Sequence, residues 1–370
     1  MPQGERHNQH GGQSGSLLFA GQWKQAGHAG IAWHGPAGRV ATLAAMEAGP
    51  GETPPRATTE PDHKRLRRWD IVSSAIALGL AIVLLVAFAT LAPGFRSASV
   101  GLSLSAAWWF YTLLAMGLTL VMTTGRMDLS GASVAALAGA VAAKLAVMGV
   151  PLLLGFLPGA LLAAAIGTVN GLIATVSRSA SYVGTLATAA FCQALTAQLV
   201  GVSAIALPHG PGGLTPLIVP AVLLAVAAAA LAVIALLSPA GDRLRGVGRE
   251  SQPVAARVLL VTLVGTYAAA AMLAAGAGVG QVAQAGLAFA SVSPQTEIAI
   301  IAAAILGGAS LRGGRGAGYP AVVSALALTV LLFGLSAAGA SLVVSTAVVG
   351  VLLAAVLLWD ELRPRLIGSG

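Results

Sequence analysis

Charge is scarce in this chain. Of 370 residues, 20 are Lys or Arg and 12 are Asp or Glu, a charged fraction of 9%, against roughly 25% in a soluble domain. Lysine occurs only at Lys24, Lys64 and Lys144. The single cysteine, Cys192, allows no intrachain disulfide, and its apolar surroundings read as those of a buried thiol. No GxxxxGK[ST] phosphate loop occurs, so any ATP hydrolysis must take place on a separate subunit. No apolar stretch follows an early basic cluster, so the N-terminus does not read as a signal peptide.

What the chain has in place of charge is long apolar runs. The hydrophobic fraction is 57% and the mean hydropathy +0.86. Residues 71–95, 97–125, 145–177, 179–241 and 316–359 carry no Asp, Glu, Lys or Arg. A span needs about 20 apolar residues, so the longer runs must hold two helices each. The expected class is all-α, a polytopic membrane helical bundle embedded in a lipid bilayer. The net charge of +8 is spread over short loops. Membrane topology accounts for it, and no nucleic-acid partner is implied.

Residues 1–69 differ in composition from the rest. They are rich in Gly, Pro, His, Gln and Thr, without apolar periodicity, and read as a disordered cytosolic tail. Five histidines lie there (His7, His10, His28, His34, His63), at spacings that fit no usual metal site, so neither a metal nor a cofactor is expected. The tail ends in a basic collar, Lys64, Arg65, Arg67 and Arg68. Met46 opens a short polar leader into that collar and is a second candidate start.

Residues 70–370 form the membrane domain. About ten spans fit, centred on 71–92, 101–124, 129–148, 152–176, 182–200, 215–237, 257–275, 297–311, 318–337 and 342–359. With both termini cytosolic, the cytosolic loops and C-terminus hold ten arginines (Arg126, Arg178, Arg243, Arg245, Arg249, Arg257, Arg312, Arg315, Arg363, Arg365). Only Arg96 and Lys144 lie outside. The reverse orientation would invert that bias.

Two spans are short. Asp128 to Lys144 leaves 15 uncharged residues and Glu297 to Arg312 leaves 14. As third and eighth of ten they hold matching places in two halves of five, which suggests an inverted five-plus-five repeat with a transport site at the short helices. Each opens on an acid, Asp128 on the cytosolic side and Glu297 on the outer side, where a helix N-terminus favours negative charge. Aligning the two acids also matches Gly139 with Gly308, though low complexity alone could produce this.

Polar side chains inside spans are costly and often functional. Asn170, Gln193, Thr196 and Gln198 stand out, with Thr185 and Thr188 nearby. This neutral set suits a neutral polyol or sugar, which needs donors and acceptors, although helix–helix hydrogen bonding explains any one member. Aromatics able to stack on a sugar are few: Trp108, Trp109, Phe110, Tyr111, Tyr182 and Phe191. Gly155/Gly159 and Gly167/Gly171 are small-xxx-small pairs and signal tight helix packing.

The stretch from Glu297 to Gly318, EIAIIAAAILGGASLRGGRGAG, runs from an acid through an apolar segment into a turn at Gly313, Gly314, Arg315 and Gly316. No strand precedes those glycines, so they read as a tight cytosolic turn and not as a nucleotide fingerprint. The stretch resembles the C-terminal signature of ribose-type ABC sugar permeases. GRMDLSGASVAALAGAVAA (Gly125 to Ala143) and GTVNGLIATVSRSASYVGTLAT (Gly167 to Thr188) are similar to two further blocks of that family. The resemblance spans roughly residues 70–361 and departs at Arg126, where the family usually has glycine, and in a shortened loop after Arg257.

The resemblance implies the permease subunit of a bacterial importer for a monosaccharide or related neutral polar solute, in the plasma (inner) membrane. Implied partners are an ATP-binding subunit, an extracytoplasmic solute-binding protein and a second permease subunit. It also implies ATPase coupling through residues 239–257, with Arg249, Glu250, Ala255, Ala256 and Arg257 in the contact, and no covalent catalysis by the chain. The substrate path would take Asp128, Asn170, Thr185, Gln193 and Glu297. An ion-coupled secondary transporter is the alternative. It needs an ionisable relay near midplane, whereas the acids here stand at predicted helix ends. An intramembrane enzyme would need a catalytic cluster inside the spans, and His209 sits alone in an outer loop.

Overall fold

The structure is a computed structural model that describes residues 63–201, 204–208, 239–248, 254–316 and 318–367. The helices are α1 (His63–Leu91), α2 (Ala98–Thr123), α3 (Gly131–Val147), α4 (Leu152–Val176) and α5 (Arg178–Val200). They continue with α6 (Pro239–Gly248), α7 (Ala256–Ala285), α8 (Pro294–Leu306), α9 (Tyr319–Ala337) and α10 (Leu342–Ile367). Seven of these are long and apolar enough to cross a membrane: α1, α2, α4, α5, α7, α9 and α10. The expected sixth span, 215–237, lies outside the described residues, as does the tail before His63. The collar continues α1, which begins at His63.

Local chemistry sets the ends. Ser97 and Ser177 accept from the backbone N–H groups of Val100 and Ala180, capping α2 and α5. Ser293 accepts from Gln295 N, and Pro294 follows at the first helical position of α8. At the other end of α7, Gly286 takes a left-handed conformation (φ 69°) and donates its N–H to Val282 O. That cap sits beyond the expected end near 275, so α7 reaches 30 residues, about 45 Å.

α7 is the central shaft, packed on α2, α3 and α4. Small residues let the backbones close up. A Cβ at Gly171 would stand 2.6 Å from Val264 Cα, and one at Gly167 2.5 Å from Tyr267 O. Gly155 and Gly159 face Ala142 and Ala138 of α3 in the same way. Both small-xxx-small pairs thus join helices within the chain. Bulky apolar side chains point outward from α1 and α10, among them Val83, Val86, Val343 and Leu358, as lipid-facing helices require.

The two short helices are α3, with 17 residues, and α8, with 13. At 1.5 Å per residue they reach roughly 25 Å and 20 Å, short of a ~30 Å hydrocarbon core. Packing partners recur across the bundle. α3 lies on α4 and α5 as α8 lies on α9 and α10, and α7 meets α3 and α4 as α2 meets α8 and α9. The residue register proposed between the short helices does not follow this pairing. Gly139 lies inside α3 against Gly278 O, whereas Gly308 follows α8 in a turn at φ 91°.

Two elements depart from expectation. The loop 239–257 contains a helix, α6, whose Leu244 and Val247 pack against the bundle at i, i+3 spacing that the surrounding charges obscure. Ile205–Ala206 (β1) pairs antiparallel with Leu287–Ala288 (β2), a two-residue ladder that clips the chain after α5 to the chain after α7.

Candidate functional site

α3 is preceded by a descending segment, Thr124 to Ser130, that carries Asp128 into the bundle. There one carboxylate oxygen, Asp128 Oδ1, accepts from Ser130 N at 2.8 Å and Ser130 Oγ at 2.6 Å. Asn170 of α4 donates through Nδ2 to the same Ser130 hydroxyl at 2.9 Å, and its Oδ1 accepts from Thr188 of α5 at 2.7 Å. One turn into α3, Ser133 repeats the arrangement. Its hydroxyl accepts from Gln193 Nε2 at 3.1 Å and donates to Glu297 Oε1 at 3.2 Å.

The site therefore holds two parallel relays, Asn170 to Ser130 to Asp128 and Gln193 to Ser133 to Glu297. In each, an amide donates to a serine and the serine donates to a carboxylate. A hydroxyl can do both at once, so each half-buried carboxylate is held by a serine hydroxyl. Ser133 and Thr185 are fully buried and Asn170 is 1% exposed. Thr185 locks the incoming segment, accepting from Leu129 N at 3.0 Å while donating to Ser181 O at 2.8 Å. Tyr267 of α7 donates to Met127 O at 2.9 Å.

Asp128 and Glu297 line one cavity of about 30 Å³, together with Leu114, Gly117, Leu118, Ala270, Ala274 and Ile300. That volume holds a water molecule or two, and no sugar. Here an expectation needs correction. The two acids do not stand near opposite faces; they meet at the same interior space. Asp128 sits ahead of its helix in the descending segment, and Glu297 sits in the first turn of α8. A register count from helix ends could not show that the segment before α3 turns inward.

All five residues assigned to the substrate path, Asp128, Asn170, Thr185, Gln193 and Glu297, thus fall in one connected region. Ser130, Ser133 and Tyr267 were not anticipated. The i, i+3 serines directly after Asp128 were the available signal. Other candidates lie elsewhere. Thr196 donates to Cys192 O within α5, and Gln198 is exposed. Trp108 Nε1 donates to Val322 O at 2.9 Å, Trp109 packs on Gly280, and Phe191 is 60% exposed, so none of these faces the cavity.

A second cluster gathers at the end of the bundle where α2 stops. Gly314 N donates to Thr123 O at 2.9 Å, and Arg178 Nη2 donates to Gly248 O at 3.0 Å. Gly313, Gly314 and Gly316 take φ values of 80°, 73° and 135°, which only glycine adopts freely. Arg315 is half-buried in this turn. Arg126 is half-buried beside Arg178, and burial together with that neighbouring charge pushes its guanidinium below the ordinary arginine value. Arg312 and Glu361 form an exposed ion pair at 2.7 Å. Arg249 and Glu250 lie outside the described residues. Ala255 precedes α7, and Ala256 and Arg257 open it, all three exposed.

The arrangement is a helical membrane bundle in which two short helices meet at a mostly apolar pocket that carries two carboxylates. The family model for the branched-chain amino acid transport system permease component matches residues 101–357, and the chain belongs to that family. It is similar to the ribose import permease protein RbsC of Bacillus subtilis, at 31% identity over 67% of this chain and 80% of that protein. The RbsC of Escherichia coli strain K12 is 30% identical over 72% of this chain and 86% of its own length. The probable ABC transporter permease protein y4mJ of Sinorhizobium fredii is 30% identical over 71% and 82%. No solved structure gives a significant match.

Proposed function

We propose that this chain is the membrane-spanning permease subunit of a bacterial ABC importer for a ribose-like monosaccharide or a related neutral polar solute. The carrying observation is the pair of amide–serine–carboxylate relays facing one cavity at the start of two short helices. Carboxylates accept strongly from hydroxyl groups, and an interior otherwise lined by Leu, Ile and Ala adds little else to hold a solute. The small cavity corresponds to a closed path, so passage requires opening on one side and then the other. The chain works without covalent chemistry, and a separate ATP-binding subunit drives the change from the cytosolic face.

The partner set is that ATPase, an extracytoplasmic solute-binding protein and a second permease subunit, homologous or identical. The recurring packing of α2 to α5 and α7 to α10 supports an inverted repeat as the basis of alternation. Arg126, Arg178, the C-terminal end of α6 and the glycine turn share one end of the bundle. The positive-inside bias assigns that end to the cytosol, with both chain termini, in the plasma membrane. Cysteine probes at Arg315 should then be shielded from an external reagent in whole cells.

One observation favours the alternative of an ion-coupled transporter: two carboxylates share an interior cavity, where such a protein needs ionisable groups. Ribose uptake into vesicles holding the permease, ATPase and binding protein separates the two. The importer requires ATP and tolerates an uncoupler. Uptake that survives without ATP and collapses with the uncoupler would overturn it.

A further inference from the structure

Three glycines from distant parts of the chain meet backbone to backbone. A Cβ on Gly313 would stand 2.7 Å from Gly125 N and 3.0 Å from Gly248 O, and one on Gly248 would meet Thr123 O and Gly314 N. Gly125 itself takes φ 72° and lies against the Arg178 guanidinium. Arg178 in turn donates to Gly248 O at the C-terminal end of α6, where the helix dipole favours a cation.

Two routes leave this joint and meet again at the cavity. One is covalent, along the five residues from Gly125 to Leu129. The other is α5, a rigid rod for the two turns between Arg178 and Thr185. They rejoin where Leu129 N donates to Thr185 Oγ1, next to Asp128. We infer that this closed linkage transmits displacement of α6 to the cavity wall, and that Arg178 is its positioning residue: it ties α6 to α5 while the Gly125–Gly248–Gly313 contact ties α6 to the segment carrying Asp128. Close-packed backbone contacts do not slide gradually, so a shift of α6 either carries both routes or breaks one.

The inference rests on the proposed ABC-importer reading, and the test separates the two. Cys192 is the chain's one cysteine, fully buried in α5 beside Gln193, and serves as a native reporter of interior opening. The permease is assembled with its ATP-binding subunit in nanodiscs. Modification of Cys192 by 2-aminoethyl methanethiosulfonate is followed with and without ATP and vanadate, which needs no knowledge of the solute. The natural chain should change its modification rate by at least about threefold on nucleotide trapping.

Arg178→Met, of similar length but without a donor, should hydrolyse ATP yet lose that change. Arg178→Lys, which can still donate to Gly248 O, should restore at least about half of it. A natural chain that supports no ATP hydrolysis and shows no ATP dependence sinks the importer reading itself, and one that hydrolyses ATP while Cys192 stays unresponsive sinks the linkage. ATP dependence that persists in Arg178→Met sinks only the linkage. So does a lysine variant as unresponsive as methionine, or an Arg178→Met chain that no longer assembles with the ATPase, since Arg178 would then be building the docking face.

Discussion

The helix trio α3–α5 and the trio α8–α10 use polar groups in different places. In the first, the hydrogen bonds between helices run through the interior, from Asn170 and Gln193 across Ser130 and Ser133. In the second they lie toward the helix ends. Asp360 accepts from Ser310 Oγ at 3.0 Å and Leu311 N at 3.2 Å, and Arg312 pairs with Glu361. Ser324 donates to Ala303 O at 2.6 Å near the start of α9. Polar groups at helix ends anchor at modest cost, while those inside a membrane bundle persist where something passes. On the proposed reading, the first trio, with Glu297 reaching into it, is the wall of the path and the second its frame.

If that contrast holds, disturbing the close packing of the first trio against α7 should have the largest effect. Gly171→Val would drive a side chain into Val264 Cα at 2.6 Å, an overpacking cost of ~1–3 kcal/mol or more. Membrane accumulation should fall sharply. Gly155→Ala, whose new Cβ would lie 3.1 Å from Ala142 Cα, should accumulate near normally. Equal accumulation of the two would break the packing argument.

Next comes Asp128→Ala. It removes the acceptor of two short hydrogen bonds and unhooks Asn170's partner, at ~1.5–3 kcal/mol for each charged bond. In the proposed importer, ATP-driven solute uptake should drop at least about tenfold at matched abundance. Glu297→Ala removes a single 3.2 Å bond from Ser133, so its uptake should fall only severalfold. Greater damage from Glu297→Ala would reverse the assignment of wall and frame. The smallest effect belongs to Arg312→Ala. Its ion pair is 63% and 44% exposed and worth ~0–1 kcal/mol, so uptake and the thermal midpoint should stay close to those of the natural chain.

Much of the fold was legible because span-forming runs are a matter of length and charge. The ends of α2, α4, α5 and α9 fall near the expected limits, set by Ser97, Pro151, Ser177 and Gly339, whereas α1 begins eight residues early, in the basic collar, and α10 runs eight residues past its expected end. The extension of α7 was not legible. Gly276, Gly278 and Gly280, followed by Gln281 and Gln284, have the composition of a loop, and only the Gly286 cap shows where the helix stops. Of the five residues assigned to the path, Asn170, Thr185 and Gln193 could be picked out as polar groups in apolar runs, and Asp128 and Glu297 as acids opening short spans. Their linkage through Ser130 and Ser133 could not, because it depends on how α3, α4 and α5 pack. α6 was hidden for a related reason: its charged residues satisfy the positive-inside rule in any conformation, while Leu244 and Val247 carry the helical signal.

The ladder between β1 and β2 has one more implication. Its bonds are made by peptide groups, as is the neighbouring donation from Leu207 N to Gly286 O at 2.8 Å. Peptide groups are common to nearly all amino acids, so the hydrogen bonds themselves ask for no particular side chain; packing does, since Ala288 is buried and Ile205 lies against the same cluster, while Ala206 is exposed. Descendants of this chain can therefore vary the exposed Ala206 most freely while the spacing of α5 and α7 is inherited unchanged.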